Sequence, residues 1–254
     1  MTLTMIIPTR GRPNLLLETL AHTILNVGRD DTRILICVDD DDQPTIEALG
    51  RIPTDDRVKI SIKPREDSRG AKYDRALTEA KADVYLLGVD CAPVLTPGFD
   101  QAIINAARLF PDNIGCVYTP MANASFPGYQ APTAGLVAKL GYLYNPEYSF
   151  WFVDHELDDI CRMIGRYVCV DINVSTAPLR PAKTIRLRDL EFWTRYFDVM
   201  TLERRLKARS IINAVDFECP QWMKAVMRDW YQPIEARSYW INNNVRTNAA
   251  EIEA

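Results

Sequence analysis

Residues 1–14 read MTLTMIIPTRGRPN, and residues 34–45 read ILICVDDDDQPT. Each is a short apolar run that stops abruptly in polar groups, Pro8-Thr9-Arg10 in the first and Asp39 to Asp42 in the second. A continuous apolar run of this length is the signature of a strand buried on both faces, as in a parallel sheet. Pro13 suits the first turn of a helix, and Leu16, Leu17, Leu20, Ile24 and Leu25 then recur at helical spacing. The polar endings do nothing for a core. They place ligand-binding chemistry at the tips of buried strands.

The pattern continues outward from these two runs. Val58, Ile60 and Ile62 alternate as a third strand, Tyr73, Ala76, Leu77 and Ala80 form a helical stripe, and Val84 to Val89 is a fourth strand. Pro97 and Gly98 open a helix reaching about Leu109, and Gly115 to Tyr118 is another strand. Strands alternating with helices predict a parallel sheet with both faces covered. Ligands of such sheets bind beyond the carboxyl ends of the strands. Pro8-Thr9-Arg10, Asp39 to Asp42 and Asp90 all fall at those ends, so they form the floor of one crevice.

Residues 119–150 carry Pro120, Pro127, Gly128, Pro132 and Pro146 among aromatics and read as long loops, with one short helix ending at Gly141. A helix from Asp154 to about Ile164 follows, with Leu157, Ile160, Cys161 and Ile164 inward and Gly165 as its stop. A strand is expected near Tyr167 to Val174. Pro178 and Pro181 mark a boundary, beyond which the chain reads as helices to about Tyr239 and a polar tail. The organisation is therefore an α/β domain over residues 1–178 and a helical subdomain over residues 179–254.

With 254 residues, 47% of them hydrophobic and 25% charged, the chain is an ordinary soluble globular protein that needs no covalent staples. No apolar run approaches the ~20 residues of a membrane-spanning helix. Met1-Thr2-Leu3-Thr4 offers no basic leader, and the expected location is the cytoplasm. Six cysteines without a Cys-x-x-Cys pair read as small buried hydrophobes, and two histidines exclude a histidine-rich metal site. The net charge of −4 is unevenly spread, because Arg180 to Arg209 holds nine Lys or Arg against four Asp or Glu, interleaved with Phe192, Trp193, Tyr196 and Phe197. That stripe is either a solvated helix face or a footprint for phosphate.

Five stretches, MIIPTRGRP (5–13), ILICVDDDD (34–42), RGAKYDRALTEAKADVYLLGVD (69–90), TPGFDQAI (96–103) and FWFVDHELDD (150–159), together resemble the family 2 glycosyltransferases. The resemblance spans roughly residues 3–175 and rests on the order of the motifs, since no single one is specific. It implies a GT-A fold, a Rossmann-like, mostly parallel sheet flanked by helices, here with a helical C-terminal extension. It also implies transfer of a sugar, with inversion, from a nucleoside diphosphate sugar to an acceptor hydroxyl. On the donor side it assigns Pro8, Thr9 and Arg10 after the first strand, Asp39 as the contact to the nucleotide base, and Arg69, Gly70 and Lys72 around the turn into the next helix. Asp90 is the implied metal or ribose contact. Asp154 is the implied catalytic base, with Glu156 competing for the role, while His155 reads as a surface or packing residue.

Two departures bear on the metal. The family carries Asp-x-Asp or Asp-Asp-x after the fourth strand, where this sequence has Asp90-Cys91-Ala92, and no histidine stands in Val170 to Val174. A Mg2+ or Mn2+ ion, if held at all, rests on Asp90 and on substrate phosphates. Arg10, Arg69 and Lys72 then share the neutralising role, and metal dependence is expected to be weak or absent. A nucleotidyltransferase is disfavoured because no glycine-rich pyrophosphate loop follows the first strand. A binding module that keeps the fold without catalysis is the rival reading. The resemblance extends to stand-alone bacteriophage transferases, some of which modify hydroxymethylated bases in DNA. The basic stripe suits such an acceptor, whose base would have to be flipped into the crevice.

Overall fold

The computed structural model describes residues 1–53, 55–120, 128–175 and 190–213. Strand β1 (Leu3–Thr9) lies inside a mixed sheet and is buried on both faces. Leu3, Met5 and Ile7 pack into one apolar cluster and Ile6 into the other, all four without exposure. Each such burial is worth roughly 1.5–3 kcal/mol over exposure, so the register of this strand is strongly specified.

β2 (Arg33–Asp39) and β4 (Val84–Leu87) flank β1 in parallel, and β3 (Val58–Lys63) adds in parallel to β2. The sheet continues through β6 (Gln130–Pro132), β5 (Cys116–Tyr118) and β7 (Tyr167–Cys169), giving the order β3-β2-β1-β4-β6-β5-β7. β6 runs antiparallel to both of its neighbours and the other ladders are parallel.

Helices α1 (Pro13–Asn26) and α4 (Phe99–Ala107) cover one face through Leu16, Leu20, Phe99 and Ile103. Helices α3 (Arg69–Ala76), α5 (Ala134–Leu140) and α6 (Val153–Met163) cover the other through Tyr73, Ala76, Leu136, Leu157 and Ile160. The short α2 (Gln43–Leu49) follows Asp42. Helices α7 (Leu190–Val199) and α8 (Thr201–Asn213) add Leu190, Phe197, Ala208 and Ile211 to the second cluster, so they share its core.

Several expectations change. α2 and β6 were not expected, the strand after Gly165 is only Tyr167–Cys169, and the antiparallel β6 makes the sheet mixed. β3 is present with its faces reversed: Ser61 is buried and donates to Glu79 Oε1 at 2.5 Å, while Ile60 and Ile62 are exposed. As the edge strand it lies where helix cover runs out. Leu25, expected on the inner stripe of α1, is exposed. The boundary at Pro178 and Pro181, the residues 180–189 of the basic stripe and the helices expected beyond residue 213 lie outside the described residues.

Gly70 sits within α3 and not in a turn. A Cβ there would come within 2.4 Å of the Asn145 carbonyl oxygen, so glycine is what lets α3 approach residues 145–146. Backbone cannot yield as a side-chain tip can, and Gly70→Ala should destabilise by about 1–3 kcal/mol in urea unfolding. An unchanged midpoint would show that α3 can shift freely.

Candidate active site at the carboxyl ends of the strands

The turn between β1 and α1 decides how the polar tips are used. Gly11 adopts φ +66°, a conformation open to glycine, and its N–H donates to Asp42 Oδ2 at 2.7 Å. This turn sends the two flanking arginines to different carboxylates. Arg10 Nη1 donates to Asp39 Oδ2 at 3.0 Å, and the same guanidinium grips Asp41, with Nη2 to Oδ2 at 2.9 Å. Arg12 Nη2 instead lies 2.8 Å from Asp90 Oδ1.

Asp39, at the end of β2, is 1% exposed and is held from both sides, by Arg10 and by Lys72 Nζ of α3. A carboxylate buried this deeply needs such pairing, because an isolated ion costs far more to desolvate than a neutral group. Asp90 is equally buried. Its Oδ2 accepts from Thr9 Oγ1 at 2.9 Å and its backbone carbonyl accepts from Thr19 Oγ1 at 3.1 Å. Burial pushes the Asp90 carboxyl up from the usual range, and Arg12 and Thr9 offset only part of that. Pro8, half-buried, pairs in register with Cys37 of β2 and so fixes the floor between these groups.

A divalent metal does not fit this set. Asp90 is the one carboxylate at its strand end, Cys91 and Ala92 follow it, and both of its oxygens already face Arg12 and Thr9. A guanidinium cannot share that carboxylate oxygen with a cation without repulsion. Among the described residues no three His, Cys, Asp or Glu side chains come together as a metal site.

On the opposite wall, the first turn of α6 presents Asp154. Phe152, just before the helix, adopts φ +68°, which costs a non-glycine residue about 1–3 kcal/mol. Its ring is fixed by stacking on Phe197 at 5.0 Å and by edge contact with His155 at 5.3 Å. Asp154 Oδ1 accepts the His155 backbone N–H at 3.0 Å and lies 2.8 Å from His155 Nδ1. Burial is the largest single influence on this carboxyl and would raise its pKa. The His155 ring and the charge of Arg69 outweigh it and hold the group well below the usual carboxylate range.

Arg69 acts electrostatically on both carboxylates, Asp90 and Asp154. Its N–H donates to the Ser149 carbonyl at 2.8 Å, and its guanidinium stands 5.7 Å from the ring centres of both Tyr73 and Phe150. Its charge acts on Asp154 and on Asp90 alike.

The structure separates the two candidate bases. The Asp154 side chain is 31% exposed, whereas that of Glu156 is 3% exposed and accepts from Tyr142 Oη at 3.0 Å and Asn145 Nδ2 at 3.1 Å. Glu156 is an interior acceptor, and burial raises its pKa. Asp100 of the TPGFDQAI stretch is structural too, accepting from Gly28 N, Arg29 N and Thr32 Oγ1 at 2.6–3.0 Å and so pinning the loop that leads into β2.

Two described members of the basic stripe are engaged by neighbouring side chains. Arg204 is buried, with Nε donating to Asp159 Oδ2 at 2.9 Å, and Lys207 Nζ donates to Tyr142 Oη at 2.7 Å. Arg12 is the functional candidate that sequence reading missed. The available signal was its place before Pro13, where a helix start normally carries Ser, Thr, Asp or Asn.

No family model matches the sequence, and no curated protein matches it. Solved structures do. A mannosyltransferase from Pyrobaculum calidifontis, in complex with GDP-Man and Mn2+, aligns over 99% of this chain and 75% of its own, with TM-score 0.60 and 16% identity. S. aureus TarS 1–349 in complex with UDP aligns over 86% of this chain and 67% of its own, with TM-score 0.54 and 14% identity. GalNAc-T7, with UDP, GalNAc and Mn2+, aligns over 68% of this chain and less than half of its own length, at 43%, with TM-score 0.53 and 14% identity. At such identities the likeness establishes architecture alone: the chain has the GT-A fold of these glycosyltransferases.

Proposed function

We propose that the protein is a glycosyltransferase that moves a sugar from a nucleoside diphosphate sugar to an acceptor hydroxyl, with inversion at the anomeric carbon. The observation that carries this reading is the pairing of the two walls. Asp39, Asp90, Thr9 and their cations occupy the strand ends where an α/β sheet binds its ligand. An accessible, ionised Asp154 faces them across Arg69. The solved structures of the same fold were obtained with GDP-Man or UDP.

In this reading Asp39 receives the nucleotide base, Pro8 and Thr9 line the donor floor with Asp90 buried beneath them, and Asp154 takes the proton of the acceptor hydroxyl. Arg10 and Lys72 hold Asp39 in place. Gly70 acts through packing, letting the helix that carries Arg69 approach residues 145–146. Arg204 and Lys207 are engaged by Asp159 and Tyr142, and the acceptor is defined by its hydroxyl alone.

A thermal-shift panel of nucleoside diphosphate sugars tests the donor assignment, because a ligand that binds only the folded state raises the melting temperature. At least one donor should raise it. Asp39→Asn keeps size while removing the charge, and should weaken that donor by ~1–3 kcal/mol, the range for a hydrogen bond to a charged group. Unchanged donor affinity in calorimetry of the folded variant would take Asp39 out of the site.

A further inference from the structure

We propose that the guanidinium of Arg12, set beside the buried Asp90, together with that of Arg69, neutralises the leaving diphosphate in place of a divalent metal, so that transfer proceeds without a metal ion. The inference rests on the donor reading above and identifies how that site handles phosphate charge.

Arg12 breaks a local rule. It occupies the N-cap of α1 yet makes no side-chain cap to the helix; its side chain reaches Asp90 instead, at 2.8 Å. Positions where local chemistry is given up are where function is expected. The Arg12 side chain remains 29% exposed while Asp90 is 1% exposed, so the guanidinium and not the carboxylate is what a ligand meets.

The other cations are committed elsewhere. Arg10 serves Asp39 and Asp41, and Lys72 serves Asp39. The Arg69 guanidinium stands against the aromatic rings of Tyr73 and Phe150, and its charge acts on both Asp90 and Asp154. Two guanidiniums carry the same total charge as one divalent ion. Their planar forks also match phosphate oxygens in two-point hydrogen bonds, which a lysine ammonium does not. Asp90 then acts as an anchor for Arg12 and not as a metal ligand.

The step balances without a co-reactant. The bond from the anomeric carbon to the phosphate oxygen breaks, and its electron pair stays on the departing nucleoside diphosphate, where the guanidinium N–H groups meet it. The acceptor oxygen bonds to the anomeric carbon, and its proton passes to Asp154.

The test is calorimetric titration of the full chain with UDP, GDP, ADP, CDP and TDP, once in EDTA and once in excess Mn2+. At least one nucleotide should bind with dissociation constants within about threefold of each other in the two conditions. Arg12→Gln should weaken it by about tenfold or more in both, the scale of one charge-assisted hydrogen bond. Because Arg12→Gln leaves Asp90 buried without its partner, the double variant Arg12→Gln/Asp90→Asn is measured as well. It removes both charges together and should show the same loss in a folded protein. Affinity raised tenfold or more by Mn2+, or unchanged in both variants, would overturn the guanidinium proposal while leaving the donor site standing. Failure of every nucleotide to bind in either condition would instead overturn the donor reading, and this proposal with it.

Discussion

Asp154→Asn should leave donor binding intact and lower the single-turnover rate by about 10²–10⁴-fold, the usual contribution of a general base. The substitution keeps the size of the side chain and its acceptor oxygen for the His155 N–H. A loss of turnover would therefore not come from unfolding. Single-turnover measurement separates chemistry from product release. The depressed pKa of Asp154 has a further consequence. The group is ionised throughout the neutral range, so it contributes no falling acid limb to the rate above about pH 5, one unit over the ordinary carboxylate value. Glu156→Gln is the control. Its oxygen can still accept from Tyr142 and Asn145, and turnover should stay within a few-fold of wild type. Collapse in Glu156→Gln with normal turnover in Asp154→Asn would exchange their roles.

The largest effect on stability is expected at Arg204. Its Nε donates to Asp159 at 2.9 Å, Nη1 to the Phe197 carbonyl at 2.5 Å and Nη2 to Thr201 at 3.2 Å, and the guanidinium lies 3.6 Å from the Phe197 ring centre. It ties α8 to α6 and supports the ring that fixes Phe152 beside Asp154. Arg204→Met keeps the apolar stem but takes a buried charge partner from Asp159, and should cost about 3–5 kcal/mol in urea unfolding. Arg195→Met, which breaks the fully solvated pair with Glu191, should cost under about 1 kcal/mol. Equal costs for the two would mean that Arg204 is not a structural tie.

The parts of the fold legible in the sequence are those with long-range periodicity. β1, β2, α1 and α6 follow from apolar runs and helical stripes, and their ends place Thr9, Arg10, Asp39 and Asp154. β6 was hidden because three residues ending in Pro132 carry no strand period, and its direction is set only by pairing with β4 and β5. α2 was masked by the aspartates before it, although Pro44 in its first turn was a start signal. β3 shows that alternation identifies a strand but not which face is covered.

Charge was the least legible property. Arg204 and Lys207 count as members of a basic stripe in one dimension, while in three dimensions Arg204 is a buried partner of Asp159 and the half-buried Lys207 donates to Tyr142. Arg10 and Arg12 are one glycine apart and chemically identical, yet the turn at Gly11 commits the first to Asp39 and Asp41 and the second to Asp90. Asp154 and Glu156 likewise sit two residues apart on one helix, and burial alone separates an accessible carboxylate from an interior one.

Donor hydrolysis tests the central claim most directly, with water standing in for the unidentified acceptor. Wild-type protein is incubated with each of a series of nucleoside diphosphate sugars, and the nucleoside diphosphate released is quantified beside Asp154→Asn. The account predicts slow release from at least one donor by the wild type and loss of that release in Asp154→Asn, with donor binding retained. Binding of no donor and release from none would contradict it.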